Sequence, residues 1–249
     1  MTPRPALASQ FSAITPHRAF EDIADQIRGL VASGRLRPGD RLPPERELAA
    51  LFNVSRNTLR EALRALELAG MIEARKGASG GAFVRPGNAS VVVGGLRDLF
   101  HLGAITPEHL TEARTWLSGL VVRVVCERAT ADDLAALDAN VEAATQADAD
   151  GDFDRRQHLH REFHLILARA TRNPIIAITM EGVMEVMGHF IARIGPRENA
   201  FTLPSRRRFL AHLRARDADA AAAEMAQFLE HMQQGYLARW QARDAPAAP

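Results

Sequence analysis

The side chains best suited to chemistry with an anionic partner lie in the stretch VSRNTLREALRAL, residues 54–66. On a helical wheel with Arg56 at zero, Arg60, Arg64 and Asn57 fall at roughly 40°, 80° and 100°, on one face. Leu59, Ala62, Leu63 and Leu66 fall at roughly 240° to 340°, so the same helix has an apolar stripe with which to pack. At the start of a helix laid in the DNA major groove, arginine can donate to guanine O6 and N7 together, which is worth about 1–3 kcal/mol of discrimination. Arg56, Asn57 and Arg60 occupy that end. A lone basic stripe is usually a solvated surface, so the surrounding pattern has to decide.

A second set lies further along the chain. His160 and His164, four residues apart, border an apolar stripe of Leu159, Phe163, Ile166 and Leu167. A histidine pair at this spacing is more often surface or hydrogen-bonded core than a metal site. On its own helix Arg206 falls between Leu210 and Leu213, or alternatively at the helix end, bonding solvent. Arg114 lies at the edge of a face made by Leu110, Leu117 and Val124, and Phe228 is flanked by Ala221, Met225 and Met232. A buried arginine costs several kcal/mol unless its charge is met. Two inward arginines therefore call for an anion, from an internal carboxylate or from a ligand. Met180, Met184 and Met187 read most simply as core, with a pocket wall as the other reading.

The elements that must position these residues follow from periodicity and punctuation. Helices are expected over about 18–33, from Pro44 to Phe52-Asn53, and from Ser55, placed to cap, to Ala69. Two short strands, Met71 to Arg75 and Ala82 to Arg85, flank the glycine-rich tip KGASGG. Beyond Pro86-Gly87 the pattern is helical, with segments near 90–102, 106–128, 130–149, 153–171, 173–194, 203–216 and 218–240. The expected fold is mostly α: a winged helix-turn-helix over residues 15–87, made of three helices and a β-hairpin wing, and an all-α antiparallel bundle over 88–241. Residues 1–14 carry no pattern, and the tail after Trp240 is expected to fray.

A chain of 249 residues with 47% apolar content fits two domains. Its single cysteine, Cys126, excludes an intrachain disulfide and a cysteine-rich zinc site. The formal net charge is only +1, but residues 1–87 hold 13 Arg or Lys against 9 Asp or Glu, leaving the remainder net negative. A local excess is enough for nucleic acid if its charges share a face. No apolar run approaches a membrane-crossing length by inspection, and the start lacks a basic cluster followed by an apolar core. A soluble, cytoplasmic protein without membrane association is the expectation.

The stretch GDRLPPERELAALFNVSRNTLREALRALELAGMIEARKGASGGAFV closely resembles the GntR family of bacterial transcription regulators. By that resemblance Arg46 contacts a phosphate, Arg56 and Arg60 carry base contacts, and Ser55, Asn57 and Thr58 add phosphate or base-edge contacts. Lys76-Gly77 would put the wing in the minor groove. Pro44 stands where the family more often has a capping serine, which predicts the same geometry with one fewer side-chain cap. The remainder, through ITPEHLTEARTWL, HREFHLILARATRNP and FLAHLRARDADAAAAEMAQFL, resembles the FadR-type C-terminal (FCD) domain, a helical bundle around an effector pocket. In many such domains an Asp and three His hold a divalent metal that binds a carboxylate. Here His160, His164, Arg206 and Phe228 stand at those positions.

The resemblance implies an effector-responsive repressor that binds a palindromic double-stranded operator as a homodimer. Its ligand is expected to be an organic acid held by Arg206 and Arg114, oriented by His160 and His164 and packed by Phe228, with Asn173 lining the cavity. No metal or other cofactor is expected, a divalent ion at His160/His164 being the alternative. A rival reading is an enzyme using those histidines, but no phosphate-binding glycine loop or nucleophile elbow supports it. A third is a DNA-binding protein with an inert dimerisation domain.

Overall fold

The computed structural model of the chain describes residues 17–77, 80–87, 89–195 and 200–244. The chain divides into two compact units, Met1–Val91 and Val92–Pro249. The boundary falls inside a helix, a few residues beyond the Pro86-Gly87 junction. The expectations for residues 1–14, for Ala78-Ser79 at the hairpin tip and for the last five residues lie outside the described residues.

The first unit holds α1 (His17–Ala32), α2 (Glu45–Leu51), α3 (Arg56–Leu68), β1 (Ile72–Arg75) and β2 (Gly81–Val84). Ser55 starts α3 by accepting the Thr58 N–H at 3.1 Å. Pro44 precedes α2 without a side-chain cap, and Glu45 and Glu47 instead complement the helix dipole from the first turn. The strands pair antiparallel, with Ile72 opposite Val84 and Arg75 opposite Gly81. The segment before α2 adds a bridge from Arg41 to Phe83, so the hairpin is tied to the helical part of the unit. The apolar stripe of α3 is buried, with Leu59, Ala62 and Leu66 packed among Ile23, Ile27, Leu48 and Ile72. That fixes which face of α3 is left outside.

The second unit is an all-helical bundle: α4 (Ser90–His101), α5 (Pro107–Arg128), α6 (Ala131–Ala149), α7 (Phe153–Ala170), α8 (Pro174–Ile194), α9 (Thr202–Arg214) and α10 (Ala218–Asp244). Thr106, Thr130, Asp152 and Asn173 cap α5 to α8 with their side chains, Thr130 in a reciprocal box with Asp133. Helix α6 packs on α7, α10 on α5 and α9, and α8 on α7 and α5. Phe163, Phe190, Phe209, Met180, Met187 and Leu213 form the centre of the core.

Two expectations are corrected. Helix α8 is, by length and composition, long and apolar enough to cross a membrane, but Met180, Met184, Val186, Met187 and Phe190 on it are buried within the bundle. Helix α10 continues past Trp240 to Asp244, because Gln241, Ala242 and Arg243 are good helix formers and the next proline comes only at position 246.

Leu59→Ala should destabilise the first unit by about 2–5 kcal/mol, seen as a lower midpoint in chemical denaturation. An unchanged midpoint would mean that this face of α3 is not core.

Candidate functional site

In the first unit, Arg56, Asn57 and Arg60 are exposed together at the start of α3, with Arg64 exposed one turn on and Arg46 exposed on α2. Arg60 is not free: its Nε donates to Glu45 Oε2 at 2.9 Å, tying the middle of α3 to the first turn of α2. Ser55 and Thr58 are engaged with one another, their hydroxyls 2.9 Å apart. Both therefore act first as a helix cap. Lys76 and Gly77 are exposed at the end of β1, Gly77 with φ of +107° and Gly81 across the hairpin with +145°, a turn geometry that suits glycine. A Cβ at Gly81 would come within 2.9 Å of the Arg41 side chain. Arg41 donates to the Gly80 carbonyl, and the Arg75 guanidinium lies 4.2 Å from the centre of the Phe83 ring. Arg41, Arg60, Arg64 and Arg75 thus line one groove between α3 and the hairpin. Arg41 and Arg75 were not singled out from sequence, because the bridge that brings residue 41 to the hairpin has no local signature.

In the second unit, Arg114 from α5, His160 from α7, Arg206 from α9 and Phe228 from α10 line one cavity of about 90 Å³. A single water needs about 10–15 Å³, so the space is that of a small molecule. Met184, Met187 and Ile191 of α8 form an apolar wall. His164 lies one turn deeper on α7, fully buried, and reaches the cavity through Arg114, whose Nη2 is 3.0 Å from its Nε2. An arginine can only donate, so His164 accepts on Nε2 and carries its proton on Nδ1. Arg206 donates to the His160 carbonyl at 3.0 Å and lies 4.1 Å from the centre of the Phe163 ring.

The electrostatics follow from burial. Desolvation, reinforced by the Arg206 charge, pushes the His160 ring down to about 2. His164 is held well below its ordinary value by burial and by Arg114. Both rings are neutral. Burial also lowers Arg206, to about 9, with the Arg114 charge adding to it, and lowers Arg114, opposed by a hydrogen bond to Tyr236. A guanidinium is not deprotonated at neutral pH in proteins, so both arginines carry their charge there. Arg114 Nε, Arg206 Nε and Nη1, His160 Nδ1, Gln157 Nε2 and Thr202 Oγ1 are all buried without a hydrogen-bond partner, and all belong to residues lining this cavity. Such atoms are rare in folded proteins. Here six of them sit in residues that surround one space.

Asn173 is not part of this arrangement. It is exposed at the start of α8, where its side chain accepts the Ile175 N–H at 3.0 Å. The Asn-Pro pair at 173–174 is a helix-start signal, and the capping role consumes the side chain. Sequence reasoning missed Arg156, Arg161, Tyr236 and Arg239, all of which line the cavity. Their helices can be read from periodicity, but not which neighbour each one meets.

A winged helix with an exposed arginine face, joined to a helical domain with a charged cavity, defines a DNA-binding transcription regulator with a ligand-binding partner domain. Residues 19–84 match the model for bacterial regulatory proteins of the gntR family, and residues 109–231 match the FCD domain. The chain is 28% identical over 236 residues to the Uxu operon transcriptional regulator of Escherichia coli K12, covering 91% of this chain and 90% of that protein. It is 32% identical over 181 residues to the Escherichia coli K12 protein assigned as the L-lactate dehydrogenase operon regulatory protein, covering 70% of this chain and 67% of that one. Among solved structures, Streptococcus agalactiae GntR has the same fold, with a TM-score of 0.68 at 24% identity over 87% of this chain and 99% of that one. The protein belongs to the GntR family and carries an FCD domain. It is a transcription regulator, not an enzyme.

Arg56→Ala and Arg60→Ala should each cost about 1–3 kcal/mol on a specific operator and relax its base preference, whereas Arg46→Ala should weaken all sequences alike. Band-shift titrations at fixed salt check this; unchanged affinity in both α3 variants would exclude this face as the reader. A second expectation is pH-dependent. His160 and His164 have folded-state values below the ordinary 6.5, so stability is full above that pH and is lost as pH falls through and below it. The melting temperature of the second unit should drop between about pH 6.5 and 5, and His160→Asn with His164→Asn should flatten that limb. An identical acid limb in the double variant would show that the two rings do not carry it.

Proposed function

We propose that the protein is a repressor whose operator affinity is controlled by a small organic acid, bound in the cavity of the second unit without a metal. The observation that carries the reading is the pair of buried guanidiniums, Arg114 and Arg206, with no carboxylate among the described residues lowering the cost of their charge. A planar guanidinium fork matches a carboxylate. His160 Nδ1, Gln157 Nε2 and Thr202 Oγ1 offer further hydrogen bonds, and Phe228 with Met184 and Met187 offers apolar packing.

A divalent cation does not fit the same residues. The lone pair on His164 Nε2 that it would need accepts from Arg114, and two guanidiniums in the cavity would repel it. Among the described residues no group of three or more His, Cys, Asp or Glu could hold a metal. The relative named for an L-lactate dehydrogenase operon is linked to a small hydroxy acid, which accords with this ligand class. The repressor sense follows the family resemblance.

On the DNA side, Arg46, Ser55, Arg56, Asn57, Thr58, Arg60, Lys76 and Gly77 form the reading surface. One winged helix has too small a footprint for a typical regulator's affinity, so two copies on a two-fold symmetric, palindromic operator are the natural unit. Trp116 and Leu120, exposed one turn apart on α5, are apolar surface available to such a homodimer. A regulator of chromosomal DNA acts in the cytoplasm.

The test is operator titration of the full chain against a panel of organic acids, with elemental analysis of protein purified without chelator. At least one acid should shift operator affinity, Arg206→Gln should abolish that shift while leaving unliganded DNA binding intact, and the protein should carry no stoichiometric metal. Near-stoichiometric zinc, nickel or manganese, lost on His164→Ala, would overturn the metal-free site. An intact response in Arg206→Gln would overturn the clamp.

A further inference from the structure

We propose that the cavity takes a short dicarboxylate, one acid group answering Arg114 and the other Arg206. This rests on the reading of the second unit as an acid sensor and adds the number of charges the ligand must bring.

The argument is a charge balance over the cavity wall. Among the described residues five arginines line it and no Asp or Glu does. Three of the five are already answered. Arg156 pairs with Asp148, and Arg161 donates to Glu185 at 2.7 Å. Arg239 donates to the carbonyls of Ile194 and Gly195 at the C-terminal end of α8, where the helix dipole is negative. Among the described residues the partners of Arg114 and Arg206 are neutral: the His164 ring, the Tyr236 hydroxyl, the His160 carbonyl and the Phe163 face.

Two positive charges therefore stay buried, and a monocarboxylate would answer one of them. The unpartnered donors divide in the same way, Nε on Arg114 and Nε with Nη1 on Arg206. The two guanidiniums come from different helices, α5 and α9, and each is pinned separately on α7 through its Nη2. Two independently anchored planar forks suit two carboxylates. A phosphate, with its charge concentrated on one centre, needs donors that converge on a single point. Between the acid groups, a short carbon chain can lie on Met184, Met187 and Phe228.

The test is calorimetric titration of the full-length protein with succinate, glutarate and adipate. Each is set against the monocarboxylate of equal carbon number (butyrate, valerate, hexanoate), with glycerol phosphate as the phosphate probe. At least one dicarboxylate should bind tenfold or more tightly than its matched monoacid. Arg114→Gln and Arg206→Gln should each reduce that preference to near unity. The wild-type comparison decides by itself if either variant fails to fold. Equal binding of both acids at every chain length overturns the two-charge inference and leaves the acid-sensor reading standing. Binding by neither series overturns the acid-sensor reading, and this inference with it. Tighter binding of glycerol phosphate than of any dicarboxylate overturns the choice of acid group.

Discussion

Taking two guanidiniums out of water with no carboxylate beside them among the described residues is the constraint around which the second unit is built. The attraction that could offset such burial is strong only when an opposite charge shares the low-dielectric space. The helices supply partial compensation instead. The Phe163 ring faces Arg206, the His164 ring accepts from Arg114, and Tyr236 supports Arg114 from α10. Each is a neutral group, and each leaves donors unused. Well-packed apolar residues at positions 114 and 206 would serve folding at least as well, since replacing buried charge with hydrophobes is often neutral or stabilising. The arrangement makes physical sense for a pocket whose compensating charge arrives from outside.

The first unit works under the opposite condition. Its arginines are exposed, and their interactions with one another are weak and screened by salt. The Arg60–Glu45 pair, with both side chains about half exposed, cannot contribute much to stability. Its consequence is geometric: an Nε–H held by Glu45 fixes the direction of the guanidinium while its terminal nitrogens remain available. Stability comes from below, through Leu59, Ala62 and Leu66. A rigid apolar underside with a lightly ordered charged upper face lets a helix approach a polyanion without being reshaped by it.

Most of this architecture was legible in the sequence, and the parts that were not share a cause. Helix limits were readable from apolar periodicity and from Ser55, which was placed to cap α3 and does so, while the structure adds Thr106, Thr130 and Asp152 as caps of the same type. The outward face of α3 followed from periodicity, and periodicity supported inward positions for Arg114, His160, His164, Arg206 and Phe228, the last four marked out by the family resemblance and Arg206 with a solvent-facing alternative. Periodicity assigns a residue to a face and says nothing about which helix that face meets. The pairs Arg161–Glu185 and Arg156–Asp148, and the Arg239 contact with the end of α8, were therefore invisible. Asn173 shows the reverse error. Its family context suggested a pocket role, while the Asn-Pro dipeptide already carried a local explanation that should have taken precedence.

The same charge balance bears on how a ligand could switch the domain. A ligand shifts a conformational equilibrium only by its difference in affinity between states, and a typical coupling between sites is about 1–3 kcal/mol. Apolar packing on Met184 and Met187 changes little if the helices shift slightly, because methionine side chains re-pack. Charge–charge contact in a dry cavity behaves differently, since its energy varies steeply with distance when screening is poor. Arg114 and Arg206 repel one another when the cavity holds no anion, a repulsion visible in the lowering of the Arg206 value by Arg114. An anion between them reverses the sign of the force acting on α5 and α9. Because both arginines are also pinned to α7, that reversal acts on three helices at once. On the reading proposed above, the free energy for switching is stored in charge that the described residues leave uncompensated, and the two arginines take the place of a metal in gathering the acid.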